Sequence, residues 1–268
     1  MPPEDHARIR KQLITEFACC PVYLTDKLAG PYYNGFANAE LWPRFHYEQR
    51  GVREEPLDWT WWDAYRAANA EFCEVVSTIT TARDLVWVHD YHLMLLPQML
   101  RARVPGATIG WFLHTPFPAS SMFRTLPVRT PLLEGLLASD TLGFHTFDYC
   151  RHFVSACARV LPGVEVTPTT VTTAAGRTCQ VMVDPIGIEP DDFLRIARSE
   201  ACQRRVAELR RQFEGVHVIV AVDRLDPIKG IPHRLLGLRT FFNAHPEFIG
   251  RVTLIQVAVP SRVDVDAY

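Results

Sequence analysis

The chain has 268 residues, 48% of them hydrophobic and 22% charged, enough to bury a sizeable core and too apolar for a wholly disordered chain. Its length fits one large or two modest domains. With 28 Lys+Arg against 30 Asp+Glu and a net charge of -2, it lacks the basic excess of a non-specific nucleic-acid binder.

No apolar run approaches the roughly 18 residues of a membrane span, and the opening Met1 to Asp5 lacks a signal-peptide pattern. Neither a membrane nor a nucleic-acid partner is therefore expected. The 7 cysteines are odd in number and irregularly spaced, which suits a reduced cytoplasmic protein better than a disulfide scaffold. Cys150 and Cys157 read as small buried hydrophobes.

The spacing of Ile9, Leu13, Ile14 and Phe17 predicts a helix over 6–17, and residues 20–24 read as a short strand. Residues 32–43 show no sustained period and gather aromatics in an irregular segment, either wall packing or a ligand surface. Thr60, with Asp63 three residues on, marks the opening of a helix whose apolar face includes Trp62, Tyr65, Ala68, Phe72 and Val76. Trp59, Trp61 and Trp62 read as core and surface anchors rather than as a carbohydrate platform.

From residue 85 the chain alternates. Apolar runs at 85–88, 108–113, 141–144 and 180–183 are separated by helical patterns at 93–101, 131–138 and 147–161. The Thr-rich stretch 163–176 reads as a surface hairpin or loop. A charged helix over 201–213 feeds a strand at 216–222, a helix over 232–245 and a strand at 252–259. Near-continuous apolar strands joined by helical crossovers predict an α/β fold with mostly parallel sheet covered on both faces. A second unit is expected from about residue 195.

Ligands of open parallel sheets bind beyond the carboxyl ends of the strands. Asp90, His114, Arg224 with Lys229, and Arg262 each come just after a predicted strand, a pattern that suits a ligand carrying hydroxyls and negative charge. Each also has a plainer reading. Asp90 could cap the helix after it, His114 and His145 could be packed loop histidines, and Arg224 and Lys229 could pair with Asp223 and Asp226. His89 and His92 flank Asp90, but without a recognised ligand spacing a metal site is disfavoured. Neither the glycine fingerprint of dinucleotide-binding folds nor a P-loop signature is present, which counts against those classes; two Rossmann-like halves with a basic loop in the second suit a nucleotide-sugar transferase instead.

Longer motifs sharpen this. They are Tyr32-Tyr33-Asn34-Gly35-Phe36-Ala37-Asn38 with Leu41-Trp42-Pro43, Val86-Trp87-Val88-His89-Asp90-Tyr91-His92-Leu93, and Phe112-Leu113-His114-Thr115-Pro116-Phe117-Pro118. Further along the chain stand Asp184-Pro185-Ile186-Gly187-Ile188, Val222-Asp223-Arg224-Leu225-Asp226-Pro227-Ile228-Lys229-Gly230 and Val259-Pro260-Ser261-Arg262-Val263-Asp264-Val265. Together they resemble the trehalose-6-phosphate synthase family, glycosyltransferase family 20, retaining enzymes of two-domain GT-B architecture.

The resemblance implies transfer of glucose from UDP-glucose to glucose 6-phosphate with retention, giving α,α-trehalose 6-phosphate. It implies acceptor contacts from Tyr33, Trp42 and Arg262, a sugar-binding Asp90, a donor-glucose contact from His114, and a basic pair, Arg224 and Lys229, on the donor diphosphate. It implies no cofactor and no required metal, because Arg224 and Lys229 supply the positive charge. A homo-oligomer or a trehalose-synthase complex is the implied assembly.

Residues 1–195 would form the Rossmann-like acceptor-side domain, and 196–268 the start of the nucleotide-sugar-binding domain. Two family features do not appear: the first strand with its glycine-rich loop, and the uridine-binding portion expected beyond Tyr268. A fragment with little transferase activity and poor stability alone is therefore expected. The rivals are a non-catalytic sugar-phosphate-sensing homologue and a related transferase with another acceptor.

Overall fold

A computed structural model describes residues 5–48 and 56–261. Packing separates two units, Met1–Pro185 and Ile186–Tyr268. No helix among the described residues is long and apolar enough to cross a membrane.

The first unit is built on β1 (Leu85–His89), β2 (Thr108–Phe112), β3 (Thr141–Phe144), β4 (Glu165–Val166), β5 (Thr170–Thr172) and β6 (Thr178–Val183). They form one sheet in the order β1-β2-β3-β6-β5-β4. β1, β2, β3 and β6 are parallel. The Thr-rich stretch adds β4 and β5 as an antiparallel hairpin on β6.

Ile109 and Trp111 of β2 and Leu142 and Phe144 of β3 are buried, which is why these strands read as apolar runs. Helices Leu96–Arg103, Arg129–Leu137 and Phe147–Val160 cover them with Leu100, Leu132, Leu133, Leu136, Phe153 and Cys157. Each fully buried aliphatic or aromatic side chain of this kind stabilises the fold by about 1.5–3 kcal/mol. The expected cover on both faces does not extend to β1, the edge strand, where Leu85 and Trp87 are exposed.

All seven cysteines are free. Burial pushes the Cys150 thiol up to about 11 and that of Cys179 to about 12, so both stay protonated and inert at neutral pH.

Helix His6–Phe17 forms as its spacing predicts. Residues 20–24 form no strand. Pro21 has no N–H for a ladder, and Tyr23 instead stacks on His6 at 3.9 Å and donates its hydroxyl to the His6 carbonyl at 3.1 Å. The aperiodic aromatic segment is a π-helix, Gly30–Leu41. Its i→i+5 bonding spreads apolar residues over a wider period than 3.6, which hides it from a helical template. Gly35 admits the neighbouring helix Trp59–Ile79, since a Cβ there would stand 2.7 Å from the Trp61 ring. That helix is capped by Asp58, not by Thr60: Asp58 accepts from the Thr60 N–H at 2.9 Å.

At the amino ends of the strands, Asp140 accepts from Arg101 Nη2, Arg177 Nη2 and the Ile109 N–H, each at 2.7 Å. Burial pushes its carboxyl up, but these donors outweigh it and hold it below the usual carboxylate range. The amino end of the sheet is thus tied together, leaving the carboxyl end for chemistry.

Helix Arg129–Leu137 lies against the chain leaving β1, and Gly135 makes this possible: a Cβ there would meet the Met94 carbonyl oxygen at 2.5 Å. Backbone cannot swing aside as a side chain does. Gly135→Ala is expected to destabilise the unit by about 2–3 kcal/mol, read by thermal unfolding; an unchanged midpoint would refute the close approach.

In the second unit, helices Pro190–Arg198 and Glu200–Gln212 pack together, the first spanning the expected boundary at residue 195. β7 (His217–Arg224) and β8 (Val252–Val259) pair in parallel, joined through the helix Ile231–Ala244. Val218, Val220 and Val222 are exposed, while Leu254 and Ile255 are half-buried. Asp226 alone is fully buried among the described residues of this unit.

Candidate active site

The carboxyl ends of β1, β2 and β3 carry the polar residues of the first unit. Asp90 comes directly after β1 with φ 69° and ψ 172°, a conformation essentially reserved for glycine that costs about 1–3 kcal/mol. It is held there from several sides. Its N–H donates to the Phe112 carbonyl at 2.7 Å, and its own carbonyl accepts from Trp111 Nε1 at 3.2 Å. Its carboxylate accepts from the His114 N–H at 3.3 Å and stands 3.8 Å from His92 Nδ1. At the start of the short turn Tyr91–Leu93 its side chain makes no capping bond, so capping does not account for it.

Each of these strands also brings an imidazole to the rim. His89 ends β1, His114 lies just past β2, and His145 comes directly after β3. His89 Nδ1 and His114 Nε2 are 3.0 Å apart and share a hydrogen bond. The Phe112 ring lies edge-on to both His114, at 4.8 Å, and His145, at 5.1 Å. Shielding from water lowers the His114 pKa; His89 and His145 push the same way, and Asp90 opposes them. Among the described residues no group of three or more His, Cys, Asp or Glu is placed to hold a metal ion.

The depressed pKa of His114 has a thermodynamic consequence. Its contribution is fully present above the unfolded-state value of about 6.5 and is lost as pH falls through the lower folded value. Thermal stability is therefore expected to fall on acidification from about pH 7.5 to about pH 5.5, less steeply in His114→Gln. Identical slopes in the two proteins would contradict the shift.

Tyr33 and Trp42 converge on the same rim. Tyr33, 41% exposed, stacks on His92 at 5.4 Å. Trp42 is buried, with its ring 4.0 Å from that of His46 and 5.8 Å from that of Tyr91. Hydrogen bonds from Tyr32 (3.2 Å) and Asn69 (3.1 Å) to the His92 carbonyl, and from Tyr65 to the Tyr91 carbonyl (2.7 Å), clamp the segment carrying Asp90. Burial raises the hydroxyl pKa of both Tyr32 and Tyr65, keeping these donors protonated. The first unit thus gathers Tyr33, Trp42, Asp90 and His114. The contributions of His89 and His145 to the rim emerge only when the strands are aligned, although their position at strand ends was visible.

In the second unit, Arg224 ends β7 and Lys229 ends the turn Pro227–Lys229. Asp226 accepts from the Ile228 N–H at 3.1 Å and stands 3.6 Å from Arg224 Nη2. Arg224 also reaches Ser261 Oγ at 3.5 Å. The expected pairing of Arg224 with Asp226 therefore forms, but onto a buried carboxylate and not as a surface pair. Asp223 pairs instead with Arg234, at 2.7 Å, and Lys229 forms no ion pair among the described residues. Arg262 lies outside the described residues.

A family model described as glycosyltransferase family 20 matches residues 1–268. The Kluyveromyces lactis protein named alpha,alpha-trehalose-phosphate synthase [UDP-forming] 56 kDa subunit is 47% identical over 273 residues, covering 100% of this chain and 55% of its own length. The structure of the Candida albicans trehalose-6-phosphate phosphatase N-terminal domain superposes with TM-score 0.88 at 37% identity, over 97% of this chain and 55% of that one. An alpha,alpha-trehalose-phosphate synthase (UDP-forming) from Burkholderia xenovorans in complex with glucose-6-phosphate superposes with TM-score 0.84 at 32% identity, over 91% of this chain and 54% of that one. The chain spans about half the length of the relatives it matches.

Proposed function

The chain belongs to glycosyltransferase family 20, with the Rossmann-like fold of GT-B enzymes, and from that premise we propose that it carries out transfer of glucose from UDP-glucose to glucose 6-phosphate with retention. The products are UDP and α,α-trehalose 6-phosphate. What supports this most is Asp90, a carboxylate that the surrounding hydrogen bonds hold in a strained conformation at a strand end beside His114, the kind of backbone strain that clusters at ligand sites. The names of the relatives supply the substrates: one is UDP-forming, and another was solved with glucose-6-phosphate.

In the proposed reaction the bond from the glucose anomeric carbon to the diphosphate breaks as the acceptor's anomeric hydroxyl bonds to the same face. The acceptor proton passes to the departing phosphate oxygen. Arg224 and Lys229 take the negative charge that develops on the diphosphate, Arg through its planar fork and Lys as a point charge. No metal ion is needed for that role. His114, kept neutral, serves the donor glucose, and Asp90 orients a sugar hydroxyl. Tyr33 and Trp42 shape the acceptor pocket, and Arg262 holds the acceptor phosphate. A cytoplasmic setting is proposed, with assembly as a homo-oligomer or a synthase complex; the relative named as a 56 kDa subunit favours the complex.

The test is UDP release from UDP-glucose and glucose 6-phosphate by the longest natural form of the protein, with the product identified by NMR. Turnover that needs both substrates is expected. Its absence would favour a second reading, a non-catalytic synthase-like domain, which the likeness to the N-terminal domain of a phosphatase supports.

A further inference from the structure

Asp223 is the one acidic residue of β7, and it places a negative charge at the strand end from which the loop carrying Lys229 departs, next in sequence to Arg224. Its carboxylate accepts from Arg234 Nη1 at 2.7 Å and from Gln256 Nε2 at 3.3 Å. Gln256 lies on β8; its amide oxygen accepts in turn from Arg234 Nη1, and its Nε2 also contacts the Ala221 carbonyl at 3.4 Å. Arg234 sits in the first turn of helix Ile231–Ala244, its N–H bonded to the Gly230 carbonyl at 2.9 Å. Strand, neighbouring strand and helix are thus joined around Asp223, whose side chain is only 17% exposed. The loop they enclose, residues 224–230, carries Arg224 and Lys229.

From this geometry we propose that Arg234 is a positioning residue that neutralises Asp223, so that Lys229 stays available for the donor diphosphate instead of turning onto the carboxylate. The inference rests on the donor reading above. Without Arg234, the Asp223 carboxylate, at the strand end of the loop that carries Lys229, would have no cationic partner from the helix. It would attract the lysine and repel the incoming diphosphate. The hydrogen bond from Arg234, then that from Gln256, holds the Asp223 carboxyl below the usual range, and Lys229 adds a smaller lowering. Lys229 itself needs no contact with Arg234 for this effect. A simple structural tie would instead act through stability alone.

The experiment measures UDP binding by calorimetry in the longest natural form of the protein, unsubstituted and as Arg234→Met, Arg234→Lys, Asp223→Asn and the double variant. Arg234→Met is expected to weaken UDP about tenfold, the scale of one uncompensated nearby charge in a partly solvated site. Arg234→Lys should stay close to the unsubstituted protein. Adding Asp223→Asn to Arg234→Met should restore binding to within about twofold, because the repulsive charge has gone even though two hydrogen bonds have gone with it. Unchanged binding in Arg234→Met, or a double variant as weak as Arg234→Met or weaker, would overturn the proposal. If the unsubstituted protein does not bind UDP, the donor reading fails first and this inference falls with it.

Discussion

Replacing Arg224 by alanine is expected to lower turnover by about 10²–10³-fold, the usual loss when one fixed donor is removed from a developing negative charge. Arg224 stands at the carboxyl end of β7 with its side chain 45% exposed, so its fork is available to a ligand despite the 3.6 Å approach to Asp226. That approach supplies the competing explanation. If Arg224 served only to balance the buried Asp226 carboxylate, Arg224→Ala would lower the unfolding temperature and leave turnover per folded molecule unchanged. Lys229→Ala should also be damaging, since Lys229 forms no ion pair among the described residues whose loss could explain an effect. Steady-state kinetics with UDP-glucose and glucose 6-phosphate, beside thermal unfolding, separate the two explanations. Near-normal turnover in both variants would refute a role at the diphosphate.

Asp90→Gly is expected to separate stability from activity. Glycine adopts φ 69°, ψ 172° without the steric penalty borne by aspartate. The variant forfeits the 3.3 Å bond from the His114 N–H, worth about 1 kcal/mol, and gains strain relief of about 1–3 kcal/mol. Stability should be unchanged or raised by about 1 kcal/mol, while activity falls at least about 10²-fold. Asp90→Asn, which keeps the side chain's shape and removes its charge, should retain the strain and still lose activity. A markedly less stable Asp90→Gly protein with intact turnover would show that the residue serves the fold rather than the reaction.

Much of this molecule is legible along the chain. Apolar runs announced β2 and β3, where burial imposes a local residue type at nearly every position, and β6, whose alternate residues are buried; β8 spans Val252–Val259 as its apolar pattern predicts. The polar residues beyond those runs marked the rim, since a chain leaving a parallel strand necessarily emerges at its carboxyl end. The π-helix Gly30–Leu41 escaped because its period is not 3.6, and residues 20–24 failed as a strand because β structure needs a partner that local pattern cannot supply. The backbone strain at Asp90, the 3.0 Å bond between His89 and His114, and the choice of Arg234 over Lys229 as the partner of Asp223 all join segments that the sequence leaves far apart. Residue type and spacing determined which elements form and where reactive groups leave them. Only tertiary packing decided which of those groups meet, because a hydrogen bond depends on ångström-scale distance and direction between elements, and no local preference carries that information.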